Sequence, residues 1–123
     1  MRVLAIDDSR TIRDMVRLTL EREGIETTLA EDGLHGIEVL DGLEMRPDAI
    51  LTDLNMPRLD GFGFIERIRK QEKYSGIPIL VLTTENAREL KLRARAAGAT
   101  GWIVKPFDPA RLVGALRTVT GLT

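Results

Sequence analysis

Residues 48–57 read DAILTDLNMP, and this stretch decides the fold. An apolar run of strand length passes into a carboxylate, Asp53, and then into a short loop that ends at Pro57. A strand that is apolar on both faces is typical of a parallel sheet with helices on both sides. We therefore expect this run to be the central strand of an α/β domain.

The same arrangement repeats outward from this strand in both directions. Short β-rich runs at 2–6, 26–30, 48–52, 78–82 and 101–104 alternate with segments of helical periodicity. This (βα)5 pattern predicts a doubly wound, parallel five-stranded sheet with right-handed crossovers, for which we expect the strand order 2-1-3-4-5. The second run is more polar, which suits a strand at the sheet edge.

Polar residues at capping positions mark the expected starts of the helices. In chain order the expected N-caps are Ser9, Asp32, Asp60, Asn86 and Asp108. The first helix is expected over about 10–22, and the second is expected to continue until Arg46-Pro47, since the residue before a proline disfavours helix. The expected buried stripes include Met15 on the first helix and Ala87 on the fourth.

The composition matches one domain over residues 1–123, with no room for an output domain. Eighteen basic and nineteen acidic residues give a net charge of −1, so bulk electrostatics do not attract the chain to nucleic acid or an anionic membrane. The sequence contains no cysteine, no apolar run of the ~20 residues that a membrane span needs, and no signal-peptide pattern. We expect a cytoplasmic, monomeric protein.

Charged residues follow the strands at one edge of the expected sheet. Asp7 and Asp8 follow the first strand, Asp53 the third and Lys105 the fifth. Ligands of such sheets bind beyond the carboxyl ends of the strands, where the strand order reverses, which here is between the first and third strands. Carboxylates about 4 Å apart repel by roughly 4 kcal/mol at an effective dielectric near 20, so the cluster favours a bound cation. Oxygen ligands without His or Cys predict Mg²⁺ or Mn²⁺.

One carboxylate in such a site can act as a nucleophile toward phosphorus. Asp53 is the candidate, because it ends the central strand and precedes a loop that can aim backbone groups at the metal. Thr83, at the end of the fourth strand, offers a hydroxyl, and Lys105 offers a charge for a phosphate oxygen. His35, the only histidine, lies in the second helix and is expected to be a solvated surface residue.

Taken together and in this order, the motifs resemble those of response-regulator receiver domains, and among these the stand-alone chemotaxis regulators of the CheY type, which have a flavodoxin-like fold. The resemblance covers about residues 3–116. The motifs that carry it are Asp7-Asp8-Ser9, Asp53-Leu54-Asn55-Met56-Pro57 with Asp60-Gly61, Thr83-Thr84-Glu85, and GWIVKPF at 101–107.

The resemblance implies that Asp53 is the phosphoacceptor for a histidine kinase of the CheA type. It implies Mg²⁺ ligands from Asp8, Asp53 and the main-chain carbonyl of Asn55, with Asp7 holding a metal-bound water. Thr83 and Lys105 match the switch hydroxyl and the phosphate-contacting lysine.

Two further positions in the resemblance concern the lifetime of the phosphoryl group. Asn55 and Glu85 match positions that tune how fast water removes it. The bond between Lys105 and Pro106 matches one that is cis in the family.

Trp102 departs from the family pattern, which has Tyr or Phe at this position. It is either a switch residue whose ring moves inward on activation or a strand-edge anchor that stays in place. Leu92, which lies off the apolar stripe of the fourth helix among arginines, is either a partner contact or a sign that the helix register is shifted.

The implied function is a phosphorylation-activated signalling switch rather than an enzyme, catalysing only its own phosphoryl transfer and dephosphorylation. A chemotaxis role would give it a flagellar motor-switch protein or a phosphatase as partner. A phosphate sink or relay for a shared kinase, and a docking module without a phosphorylation cycle, stay open as alternatives.

Two other readings are disfavoured. A haloacid-dehalogenase-type phosphotransferase would place its nucleophile on the first strand. A flavodoxin-like cofactor binder would need a phosphate loop where Asp7 and Asp8 stand.

Overall fold

Strands and helices alternate along the chain as the sequence predicts. The computed structural model describes residues 1–122. The strands are β1 (Arg2–Ile6), β2 (Glu26–Ala30), β3 (Ala49–Thr52), β4 (Ile79–Thr83) and β5 (Gly101–Val104). The helices are α1 (Arg10–Glu21), α2 (Gly33–Gly42), α3 (Gly61–Arg69), α4 (Arg88–Ala97) and α5 (Pro109–Thr120), with a 3₁₀ turn at Glu72–Tyr74. Within these residues no helix has the length and apolarity to cross a bilayer.

All five strands are parallel and lie in the order β2-β1-β3-β4-β5, which confirms the predicted fold class. In the register of β1 with β3, Val3 lies opposite Ala49 and Ile6 opposite Thr52. The carboxyl ends of these two strands therefore lie side by side, at the point where the strand order reverses.

The sheet separates two hydrophobic cores because successive residues of a strand point to opposite faces. In β1, Leu4 and Ile6 face one core, and Val3 and Ala5 face the other. The first core is closed by α2, α3 and α4, and the second by α1 and α5. The central strand β3 is buried along its whole length, as its apolar sequence predicts.

Four of the five predicted N-caps are confirmed by side-chain hydrogen bonds. Their oxygens accept from backbone N–H groups of the first turn at 2.8–3.3 Å. The pairs are Ser9 with Ile12, Asp32 with His35, Asp60 with Gly63, and Asp108 with Ala110. Pro109 occupies the first turn of α5, as expected.

The prediction for the start of α4 is wrong. Ala87, not Asn86, is the N-cap residue, with extended backbone at φ −71° and ψ 137°, and no side chain caps this helix end. Asn86 lies one position too early to bond the first turn. Ala87 is also exposed, so the buried stripe of α4 is narrower than expected.

Two other helix predictions need correction. The second helix ends at Gly42, short of Arg46, because Leu43 is already extended at ψ 133°. A glycine near a helix end weakens the helix, which explains the earlier stop. Met15 is 46% exposed, so it lies outside the buried stripe of α1 that Val16 and Leu20 form.

The carboxyl-terminal end of α4 is anchored by Arg69. Gly98 ends the helix with a left-handed backbone, at φ 119°, and its carbonyl accepts a hydrogen bond from Arg69 Nε at 3.0 Å. Arg69 Nη1 also donates to the carbonyls of Tyr74 and Ser75, at 3.3 and 3.0 Å. Burial lowers the pKa of the Arg69 guanidinium. One side chain thus joins the end of α4 to the turn that follows α3.

Truncation of a core residue of α3 tests this packing. Phe64 is fully buried, so Phe64→Ala removes a large apolar group and leaves a cavity, and we expect it to lower the free energy of unfolding by about 3–5 kcal/mol. Urea unfolding followed by circular dichroism measures the change. The control, Leu92→Ala, removes a side chain that is 55% exposed and should change stability by no more than about 0.5 kcal/mol. Equal losses in the two variants would contradict the assigned core.

Candidate functional site

Three carboxylates meet where the sequence predicts, at the carboxyl ends of β1 and β3. One oxygen from each of Asp7, Asp8 and Asp53 lies within 4.8 Å of the others. The sheet hydrogen bonds continue past the strands and place these residues, since Asp7 N donates to Ala30 O at 3.1 Å and Asp53 N to Ile6 O at 3.0 Å. Asp7 and Asp53 are buried and Asp8 is exposed, so the cluster opens to solvent on one side.

Lys105 brings a positive charge into this cluster. Its Nζ lies 2.6 Å from Asp7 Oδ2 and 3.2 Å from Asp53 Oδ2, and only 9% of the side chain is exposed. Its backbone N–H donates to Thr83 O at 2.7 Å, which fixes the chain at the end of β5. The ammonium offsets part of the repulsion between the carboxylates, which without it would destabilise the folded state.

The pKa values of Asp7 and Lys105 are both raised in this pocket. Burial raises the pKa of Asp7 above its ordinary value, and the hydrogen bonds from Lys105 and from Ser9 N–H offset this only in part. Burial alone would lower the pKa of Lys105, but the hydrogen bonds and charges of Asp7 and Asp53 outweigh it and the net pKa is raised. The ammonium therefore stays charged at neutral pH, while ionised Asp7 destabilises the fold.

The carboxylate of Asp53 is held in a defined orientation. Its Oδ1 accepts a hydrogen bond from Leu54 N–H at 2.7 Å, and its Oδ2 faces Lys105. A Cβ at position 61 would come within 2.2 Å of the carbonyl oxygen of Asp53. Only glycine at position 61 allows α3 to start this close to Asp53.

The donor set fits a hard divalent cation. It consists of three carboxylates, contains no histidine, and opens to water at Asp8, which suits an ion such as Mg²⁺ that keeps several waters. The three carboxylates can therefore hold Mg²⁺. The loop from Asp53 to α3 also carries Asn55, whose Nδ2 lies 3.5 Å from Glu85 Oε1.

Comparison with known proteins places the chain in a family. Residues 3–117 match the response regulator receiver domain. The chain belongs to this family. The receiver is 36% identical to the chemotaxis protein CheY1 of Helicobacter pylori, in an alignment that covers 98% of each chain.

Solved structures agree with this assignment. The chemotaxis protein CheY4 of Vibrio cholerae shares 45% identity and superposes with a TM-score of 0.90, over 96% of this chain and 97% of that chain. The receiver domain of the sensor histidine kinase PA1611 of Pseudomonas aeruginosa, solved with a magnesium ion in its active-site cleft, shares 29% identity with a TM-score of 0.88, over 98% and 97% of the two chains.

The other predicted residues of the receiver lie on β4, on β5 and in the loops that follow β3 and β4. Thr83 ends β4, is fully buried, and accepts a hydrogen bond from Glu85 N–H through Oγ1 at 3.3 Å. Trp102 is half-buried on β5, and its Nε1 donates to Glu85 O at 3.0 Å. The peptide bond between Lys105 and Pro106 is cis, as the resemblance implied.

His35 lies on α2, as expected, and takes no part in the carboxylate cluster. It is half-buried rather than fully solvated, because its Nδ1 accepts a hydrogen bond from Glu31 N–H at 3.0 Å. Its observed contact is therefore local, at the start of α2.

Two arginines make contacts that were not predicted from the sequence. Arg13 Nη1 donates to the carbonyl oxygen of Asp7 at 2.7 Å. The only sequence feature that could have indicated this contact is the position of Arg13 in the first turns of α1. Arg58, in the loop after β3, forms an ion pair with Asp32, which the sequence had marked only as a helix cap. No local pattern indicates that pairing.

Neutralising a carboxylate of the cluster should stabilise the metal-free receiver. The pKa of Asp7 is higher in the folded chain than the ordinary value of 3.8, so its ionised form lowers stability at pH values above the folded pKa. That loss is regained as the pH falls through the folded pKa toward 3.8. We expect Asp7→Asn to raise the melting temperature by a few degrees at pH 7, with a smaller difference near pH 4. Asp8→Asn should also raise it, because a like charge is removed.

Thermal unfolding with EDTA and with Mg²⁺ measures both effects. Added Mg²⁺ should raise the melting temperature of the wild type but not that of the Asp8 variant. The control, Asp14→Asn, removes a carboxylate of α1 that lies 3.6 Å from Arg17 and should bring no gain. If Asp7→Asn and Asp8→Asn both melt lower than wild type in EDTA, the clustered-charge explanation is wrong.

Proposed function

We propose that the receiver is a phosphorylation-activated switch of a two-component system, with Asp53 as the phosphoacceptor. The observation that carries this proposal is the position of Asp53 at the end of the central strand. There its carboxylate is oriented by Leu54 N–H, faces the Lys105 ammonium, and lies beside two further carboxylates.

In the proposed reaction an Asp53 carboxylate oxygen attacks the phosphorus of a phosphohistidine. The new O–P bond forms as the P–N bond breaks, and the released imidazole nitrogen keeps the electron pair and takes up a proton. Bound Mg²⁺ would neutralise charge on the phosphoryl oxygens, and Asp8, Asp53 and the Asn55 carbonyl would hold it, with Asp7 beside it. Lys105 would hold one phosphoryl oxygen, since its Nζ already lies 3.2 Å from Asp53 Oδ2.

The switch follows from the charge that the phosphoryl group adds. It brings about −1.5 to −2 charge and three acceptor oxygens to Asp53, which would draw toward it the Lys105 ammonium and the hydroxyl of Thr83 at the end of β4. Thr83 Oγ1 is bonded as an acceptor to Glu85 N–H, so its proton is free for a phosphoryl oxygen. A movement of Thr83 would carry the Glu85 main chain with it, and through the bond to Glu85 O it would reach Trp102.

We infer that the output surface consists of α4, β5 and α5, which follow this loop. Leu92 is 55% exposed on α4, while Ala94 is buried. The helix register is therefore the expected one, and the exposed leucine is not a register error. Arg88 and Arg95 are exposed and lie one helical turn before and after Leu92, so the apolar side chain has a basic residue on either side, which suits a protein contact. Arg93 instead stacks on the ring of Phe62, 4.0 Å from its centroid.

The partners proposed here follow the relatives. Since the matched relatives CheY1 and CheY4 are chemotaxis proteins, we propose a CheA-like histidine kinase as phosphodonor and a flagellar motor-switch protein as the target. Asn55 and Glu85, whose side chains approach to 3.5 Å, would set the rate at which water removes the phosphoryl group. A phosphate-sink or relay role would use the same chemistry with a different recipient.

Incubation with acetyl phosphate and Mg²⁺ tests the phosphoacceptor. We expect an adduct of about 80 Da, the mass of one phosphoryl group, that is lost in alkali and does not form without Mg²⁺. Asp53→Asn should abolish it because the amide lacks the nucleophilic carboxylate. Intact-mass spectrometry measures the adduct.

The control, Asp60→Asn, makes the same change at a nearby carboxylate. Asn caps helices as well as Asp does, so α3 should be preserved and the adduct should still form. A wild-type chain that takes no adduct from a phosphodonor would instead be a docking module without a phosphorylation cycle.

Trp102 reports the switch, since it is the only tryptophan. Phosphorylation should change its fluorescence emission, because the hydrogen bond from Nε1 ties the indole to the Glu85 main chain. Fluorescence before and after acetyl phosphate addition measures this, and Asp53→Asn should show no change. An unchanged emission in a wild-type sample that carries the adduct would mean that Trp102 is a fixed anchor.

A further inference from the structure

The loop between β3 and α3 contains an unusual backbone conformation at Arg58. Its φ is 65°, and among residues 1–122 it is the only residue other than glycine with a positive φ. A side chain with a Cβ disfavours this left-handed region, so contacts elsewhere must hold Arg58 in it.

Those contacts go to Asp32 at the start of α2. Arg58 Nε donates to Asp32 Oδ2 at 2.8 Å and Arg58 Nη2 to Asp32 Oδ1 at 3.0 Å, which makes a bidentate pair. Asp32 is 4% exposed and also accepts from His35 N–H at 2.9 Å as the cap of α2. The acceptor is therefore fixed by the helix, and the arginine is held by two parallel hydrogen bonds.

Backbone contacts fasten the same loop at two more points. Gly33 N–H, in the first turn of α2, donates to Leu59 O at 3.1 Å, and a Cβ at position 33 would come within 2.5 Å of that oxygen. Gly61 N–H donates to Leu54 O at 2.8 Å and closes the loop at its base. Residues 54–60 are thus joined to α2 at one side and to α3 at the other.

We propose that Arg58 and Asp32 are positioning residues for the phosphoacceptor site, acting through this loop. The inference rests on the proposed function, because the loop carries Asn55, the proposed source of a Mg²⁺-binding carbonyl, and follows directly on Asp53. The hydrogen bonds of the pair go to each other and to α2, and within residues 1–122 none goes to the three carboxylates. The pair would therefore act on the metal site through the backbone.

The opposite charges of Arg58 and Asp32 make the proposal testable, because a purely electrostatic effect and a positioning effect predict different changes in Mg²⁺ affinity. Arg58 is a cation near a cation site, so its charge alone opposes Mg²⁺ binding and its removal would tighten binding. The charge of Asp32 alone favours Mg²⁺, so its removal would weaken binding. If the pair instead positions the loop, removal of either member weakens binding.

Isothermal titration of the metal-free protein with MgCl₂ measures the Mg²⁺ dissociation constant. In Arg58→Gly the glycine accepts the positive φ without strain, so the variant loses the side-chain contacts and gains some backbone freedom. Asp32→Asn breaks the same pair without changing the backbone of the loop. In Asp32→Asn the helix cap is preserved and the charged fork is lost. We expect both variants to raise the dissociation constant about tenfold, the lower end of the effect of removing outer partners of metal ligands.

The matched control is Arg22→Ala, which removes the same charge from an exposed residue at the end of α1 that forms no ion pair within residues 1–122. It should leave the dissociation constant unchanged or slightly lower. Tighter binding in Arg58→Gly with weaker binding in Asp32→Asn would overturn the proposal, as would an unchanged constant in both.

Amide hydrogen exchange gives a second readout that does not need the metal. The Gly33 and Gly61 amides, which bond to the loop, should exchange faster in Arg58→Gly than in wild type, while amides of α5 keep their protection. Unchanged exchange at both glycines would overturn the positioning role. Failure of wild type to accept phosphate from acetyl phosphate would instead overturn the proposed function, and the Mg²⁺ and exchange results would still decide the role of the pair.

Discussion

The ammonium group of Lys105, held between the carboxylates of Asp7 and Asp53, is the interaction on which the rest of the site depends. These groups come from the ends of β5, β1 and β3, and all are largely buried. Buried charges destabilise a fold unless they are paired, and here the pairing is incomplete, because the pKa of Asp7 is still raised. The folded receiver therefore holds an excess of negative charge in this pocket, and a divalent cation bound there would relieve the repulsion between the carboxylates.

The precision of this pocket comes from the main chain. Asp7, Asp53 and Lys105 each lie one residue beyond a strand, and each donates its backbone N–H to a neighbouring strand or its extension. The sheet hydrogen bonds thus extend into the site and fix the Cα positions of these three charged residues, while the two apolar cores pack against the sheet from both sides. The positions of Asp7, Asp53 and Lys105 therefore depend little on how their own side chains pack. For this reason the repulsion between the carboxylates does not displace them.

The fold and the position of the carboxylate cluster were predictable because they follow from short-range sequence patterns. The apolar runs locate the strands to within a residue, and in a doubly wound sheet of order 2-1-3-4-5 the residues that follow the strands must then meet at one edge. Features that depend on tertiary contact were out of reach. The left-handed backbone of Arg58 is stabilised by Asp32, which lies 26 positions earlier in the chain. The start of α4 was misplaced because Asn86 satisfies the rule for a cap but stands one position too early.

Among the described residues, side-chain hydrogen bonds hold helix α4 at one end only, while Leu90 and Ala94 pack it against the core. Arg69 and the left-handed Gly98 hold its last turn, whereas no side chain caps its first turn within the described chain. Helix α4 is ten residues long, so its first residue lies about 15 Å from the anchored end, and a rotation about that end would displace the first turn most. A partner that contacts α4 near Arg88 would therefore meet its most displaceable part, whereas one that contacts it near Ala97 would meet its fixed part.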